Sequence, residues 1–145
     1  MAEFEKEINS TFENERIKAL LNIKYTAGWL DQMGTEVFKP HKISEQQYNI
    51  LRILRGAGES ITVNEVKERM IQKSPNATRL MDKLCDKKLI ERERCENDRR
   101  VVFIKITRKG MALLEKIKLK GLHDLINVLS EGEAKTLNTL LDKIR

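Results

Sequence analysis

Apolar residues recur at two different spacings along this chain, and the change of spacing divides it. Leu20, Ile23, Ala27 and Leu30 step by three and four residues, the repeat of a single helix face, and Trp29 and Met33 extend that seam. The pattern predicts a long helix over Glu13–Met33, ended by Gly34 and followed by a loop at Phe38-Lys39-Pro40-His41. A seam this narrow suits packing against another helix. Ser44-x-x-Gln47 is a capping box, in which the serine accepts from a backbone N–H and the glutamine reaches back. It opens a helix carrying Tyr48, Ile50, Leu51, Ile53 and Leu54, which Gly56-Ala57-Gly58 closes. Thr62-x-x-Glu65 repeats the motif and opens a short helix with Val63, Val66 and Met70. Ser74 as N-cap and Pro75 in the first turn predict a further helix reaching Asp86, with Ala77, Leu80, Met81 and Leu84 inward.

After Asp86 the period falls to two. Leu89–Arg94 reads as a strand, and Val102, Ile104 and Ile106 alternate with Val101, Phe103 and Lys105 in a second. The polar stretch Cys95-Glu96-Asn97-Asp98-Arg99-Arg100 turns between them, so the pair is a β-hairpin. Helical spacing resumes at Arg108 through Met111, Leu114, Ile117, Leu122, Leu125 and Leu129. A third capping box, Ser130-x-x-Glu133, opens a last helix with Leu137, Leu140, Leu141 and Ile144 on one face. No repeat or linker divides the chain. The expectation is one domain over 1–145, mainly α with a small β-hairpin.

Composition narrows the class. At 145 residues, 40% hydrophobic and 34% charged, the chain can bury its own core. Two cysteines cannot build a disulfide framework. No uncharged apolar run approaches the ~18 residues of a membrane span, and the acidic start (Glu3, Glu5, Glu7) is unlike a signal peptide. These features predict a soluble, cytoplasmic protein without a membrane partner. No base is paired with a nucleophile, no glycine-rich phosphate loop occurs, and no His/Cys/Asp/Glu cluster has metal spacing, so neither an enzyme nor a bound metal or cofactor is expected.

Charge then points to a partner. The net charge is +6. Residues 1–60 hold 8 basic and 9 acidic side chains, 61–109 hold 14 and 8, and 110–145 hold 6 and 5. The excess therefore lies in one third of the chain, the third with the short helices and the hairpin. A solvated surface explains such a patch as well as a nucleic-acid footprint does, until the order of elements is added. Helix, short helix, tight turn, helix and hairpin make a winged helix-turn-helix, whose second helix fits a major groove and whose hairpin reaches the flanking backbone or minor groove.

The residues also resemble a known family. Ser74-Pro75-Asn76-Ala77-Thr78-Arg79-Leu80-Met81-Asp82-Lys83-Leu84 is similar to the recognition helix of MarR-type regulators (multiple antibiotic resistance regulators). Asp98-Arg99-Arg100, then Val102, Ile104 and Ile106-Thr107-Arg108-Lys109-Gly110, resembles their wing signature. The resemblance implies a homodimeric bacterial transcription factor on double-stranded operator DNA, usually a repressor, often released by a small-molecule effector or an oxidant. It assigns 44–109 to a DNA-binding lobe, and 1–36 with 110–145 to a helical dimerisation lobe. One position departs from the family: Lys88 stands where glycine is usual after the recognition helix. A residue other than glycine held at positive φ there costs about 1–2 kcal/mol.

Candidate roles follow. With the apolar residues inward, Asn76, Arg79 and Lys83 face outward and Thr78 lies at the edge. Arg79 can bond guanine bidentately and Asn76 can read adenine; the plainer alternative is a solvated face with Lys83 touching only phosphate. Ser74 caps the helix. In the wing, Arg100 resembles the family residue that enters the minor groove, Asp98 is assigned to orienting it or simply to forming the turn, and Arg94 and Arg99 are phosphate contacts. Cys95, expected to be exposed, is read as an incidental thiol rather than a redox sensor, and Cys85 as core. Tyr25, Trp29, Met33 and Tyr48 are candidates for a ligand pocket between the lobes, with ordinary core and dimer packing as the alternative. From another class, a winged-helix protein-interaction module that reads no DNA stays open beside the leading interpretation.

Overall fold

Three capping boxes set helix starts in the computed structural model, which describes residues 3–145. Ser44 Oγ accepts from the Gln47 N–H while Gln47 Oε1 accepts from the Ser44 N–H, opening α3 (Glu45–Ala57). The same reciprocal bonds join Thr62 to Glu65 at α4 (Val63–Arg69) and Ser130 to Glu133 at α8 (Glu131–Ile144). Each satisfies donors that would otherwise lack partners at a helix N-terminus. The glutamate carboxyls of the last two boxes are held below the ordinary carboxylate value by these hydrogen bonds to Thr62 and Ser130.

The remaining elements are α1 (Phe4–Glu7), α2 (Glu15–Phe38), a 3-10 turn at Lys39–His41, β1 (Ile61–Thr62), α5 (Ala77–Asp86), β2 (Ile90–Arg94), β3 (Val102–Ile106), α6 (Arg108–Lys116) and α7 (Lys120–Ile126). The expected hairpin is present, with Ile90 opposite Ile106 and Arg94 opposite Val102. β1 adds a third antiparallel strand on the other edge of β3, with Ile61 opposite Ile104. Two residues are too few to show a period of two in the sequence.

Helix boundaries on either side of the core differ from expectation. Gly34 does not end α2, which runs on to Phe38, and Phe38 is a buried core residue rather than part of a loop. Gly34 lies under the Glu45 side chain of α3, whose carboxylate would sit 2.6 Å from a Cβ there and would have to swing aside for one. The expected continuous helix after Arg108 is broken, because Ile117 turns extended (ψ 116°) and is buried in the core. Lys116 and Lys120 would repel each other four residues apart on an unbroken helix.

The buried core runs from Phe38 to Ile117 and centres on Ile50, Leu51, Leu54, Met81, Leu84 and Ile104. It lies among α3, α4, α5, α6 and the three strands, with Phe38 added from the end of α2. The helices at either end are different: Leu20 is 50% exposed, Trp29 43%, Leu140 54% and Ile144 67%. Contiguous exposed apolar side chains of this kind mark an interaction surface. No described helix is long and apolar enough to cross a membrane.

Candidate nucleic-acid interface

α5 is positioned from both ends and from below. Met81 and Leu84 are fully buried, Ala77 is 1% exposed, and Leu80 and Cys85 pack half-buried against the same core. Buried Gln47 serves two elements, since its amide also donates to the Leu80 carbonyl at 3.4 Å. A glutamate at this capping position would lack that donor. At the front, Ser74 Oγ accepts from the Asn76 N–H at 3.2 Å, so Ser74 closes the turn that feeds the helix. The helix itself begins later than expected, at Ala77, with Asn76 in the cap position.

At the back the chain takes the left-handed turn that glycine usually supplies. Lys88 has φ 59°, its N–H bonds the Cys85 carbonyl at 2.8 Å, and the Leu89 N–H bonds the Leu84 carbonyl at 3.0 Å. This is a Schellman motif built on lysine. Its surroundings hold it in place. Thr107 Oγ1 donates to the Lys88 carbonyl at 2.7 Å and accepts from the Gly110 N–H at 3.1 Å. Gly110 is required by close approach: a Cβ there would lie 2.3 Å from the Leu89 carbonyl oxygen. The Thr-x-x-Gly sequence after the wing thus docks α6 on the strand that leaves the recognition helix.

These constraints leave Asn76, Thr78, Arg79 and Lys83 exposed together on α5, with Ser74 half-buried at its start. In the wing, Arg94, Asp98, Arg99 and Arg100 are all exposed, and Cys95 is half-buried rather than exposed. The Cys95 N–H bonds the Val101 carbonyl at 3.1 Å, and the Val101 N–H bonds the Asp98 carbonyl at 3.0 Å. Asp98 acts on the backbone: its carboxylate accepts from the Arg100 N–H at 2.9 Å. This is the turn-forming arrangement; the bond reaches the Arg100 main chain and not its guanidinium.

The electrostatics sort the charges of this face. Lys105 pairs with Glu93 and lies 3.5 Å from Glu91, and those carboxylates raise its pKa, the hydrogen bond it donates to Glu93 most. Arg92 on β2 pairs with Asp82 on α5. Both members are partly exposed, so the pair adds little stability, but it ties the wing strand to the recognition helix and covers one of the two acids of that helix. Neither residue was singled out by sequence reasoning, because no local spacing reveals a contact made by β2 folding back over α5. Arg79, Lys83, Arg94, Arg99 and Arg100 take part in no ion pair among the described residues. Asp82, Glu91 and Glu93 are thus paired, while the outward cations stay available.

The four candidate pocket residues are not brought together. Tyr48 is buried with its ring 4.7 Å from that of Phe38, whereas Tyr25, Trp29 and Met33 are exposed on α2, and Tyr25 packs on Phe4. Burial pushes the Cys85 thiol up, away from reactivity. No cluster of His, Cys, Asp and Glu among the described residues could hold a metal ion.

Comparison with known proteins gives a consistent result. The family described as transcriptional regulator SarA/Rot matches residues 32–117. The multiple antibiotic resistance protein MarR of Salmonella typhimurium is 33% identical over 118 residues, spanning 79% of this chain and 81% of its own. The HTH-type transcriptional regulator MhqR of Bacillus subtilis is 29% identical over 117 residues, 79% of each chain. Among solved structures, a cysteine-to-serine variant of MarR from E. coli complexed with operator DNA matches with a TM-score of 0.78 at 29% identity, over 93% of this chain and 99% of that one.

Proposed function

Since the chain belongs to the MarR-type transcriptional regulators, the group that includes SarA/Rot, we propose that it binds double-stranded operator DNA as a homodimer and acts as a repressor. The observation that carries this is the face shared by α5 and the wing, where Asn76, Thr78, Arg79, Lys83, Arg94, Arg99 and Arg100 are exposed and the five cations take part in no ion pair among the described residues. Arg79 and Asn76 read base edges in the major groove, Lys83 and Arg99 hold phosphates, and Arg100 enters the minor groove beside them. Ser74 and Asp98 shape the backbone that presents these groups.

In this reading residues 44–109 form the DNA-binding lobe, and 1–36 with 110–145 form the dimerisation lobe. The exposed apolar side chains of α2 and α8 then meet their counterparts across a two-fold axis. Tyr25, Trp29 and Met33 belong to that surface rather than to a pocket. Two recognition helices related in this way enter major grooves ~34–36 Å apart. An interaction module without DNA readout is not favoured, because the outer face of α5 carries Arg79 and Lys83 where a protein-binding face would be more apolar. Titration of the purified chain against labelled duplex DNA at rising salt tests the proposal. Binding that falls steeply with salt, as several phosphates are neutralised, supports it. No binding at low salt contradicts it.

A further inference from the structure

A second basic feature lies away from the recognition face. A cleft of about 360 Å³ opens between the turn joining α2 to α3, the C-terminal end of α5 and one side of α6. Lys42, Lys87, Lys109 and Lys116, with His41, surround a floor that includes Leu89 and Leu113, and no carboxylate lines it. Two of the ammonium groups are held in place: Lys87 Nζ donates to the Lys42 carbonyl, and Lys109 Nζ donates to the Lys87 carbonyl at 2.9 Å. Each ammonium has three donors, so these anchors leave others available to a ligand. Lys42 itself sits at φ 57°, a conformation that disfavours lysine, at the turn where the chain borders the cleft.

We propose that this cleft binds a small phosphorylated molecule with an apolar body. Four lysines converge without a compensating acid, so a single carboxylate would leave most of the charge unmatched. A phosphate monoester brings about −1.5 to −2 charges and three acceptor oxygens, and lysine is a standard point-charge partner for it. The leucine floor takes the apolar part, and the volume falls in the range of small-molecule sites. The site is distinct from the DNA-facing residues. It lies at the far end of α5 from Asn76, about 15 Å away for ten helical residues.

Calorimetric titration of the full chain with 1-naphthyl phosphate, 1-naphthoate and inorganic phosphate tests this without DNA, so its failure leaves the operator reading standing. The expected result is saturable binding of one naphthyl phosphate per chain, about tenfold or more tighter than either other probe. Lys42→Gln with Lys116→Gln, whose ammoniums donate no hydrogen bond among the described residues, lowers that affinity at least about tenfold. Lys6→Gln with Lys143→Gln, which removes the same charge elsewhere, leaves it unchanged. Absence of saturable binding overturns the proposal. So does equal affinity for the naphthoate, or an equal loss in both double variants, which reduces the effect to general surface charge.

Discussion

Asp98 and Arg100 are joined through the main chain: the aspartate carboxylate accepts a 2.9 Å hydrogen bond from the arginine N–H. The acid is spent on folding the wing tip, and the guanidinium is left outside any ion pair among the described residues. Asp98→Asn keeps the acceptor and should hold DNA affinity within about twofold. Asp98→Ala removes it and should weaken binding about fivefold, the worth of roughly 1 kcal/mol for such a bond. Fluorescence anisotropy on one duplex checks both. Equal losses would assign the effect to charge and not to the turn.

Lys88 ends the recognition helix at φ 59° where glycine is conformationally easier. Lys88→Gly should stabilise the fold by about 1 kcal/mol, since the left-handed penalty on the lysine exceeds the extra freedom glycine adds to the unfolded chain. Urea denaturation at matched protein concentration reads this directly. Destabilisation would mean that the lysine side chain contributes more there than the backbone loses.

Glu45 contributes to the pH dependence of stability. Burial against Gly34, and then the charge of Asp31, raise its carboxyl above the ordinary value of 4.5. A raised acid binds its proton more readily in the folded state. Its contribution is therefore favourable below the ordinary value and is lost as pH rises through the raised one. Glu45→Gln should be at least as stable as the parent chain near pH 7, and should flatten the change in stability between about pH 7 and pH 5. The capping carboxylates Glu65 and Glu133 act in the opposite sense, with stability lost as pH falls through their depressed values. An unchanged slope in the glutamine variant would contradict this assignment.

The parts of the fold legible in the sequence were those set by neighbours three or four residues apart. Ser44, Thr62 and Ser130 announce their helices because a capping box is complete within four residues. The hairpin is equally local, and the outward face of α5 follows from one apolar stripe. Gly34 misled because a glycine within a helix need not end it: α2 continues to Phe38, whose burial depends on tertiary packing. Arg92 with Asp82 was invisible because that contact too is tertiary. Tyr25, Trp29 and Met33 read as packing residues or as pocket lining, with packing the favoured alternative, since an apolar seam does not say what will cover it. The break at Ile117 was masked by side chains on both sides of it that keep helical spacing.

The most direct test of the account is selection of binding sites from random duplex DNA by the purified chain, repeated with Arg79→Ala. The account predicts enrichment of two inverted half-sites centred about one helical turn apart, with base preference in the half-sites flattened in the variant. No enriched sequence, a single unpaired half-site, or the same motif from both proteins would contradict it.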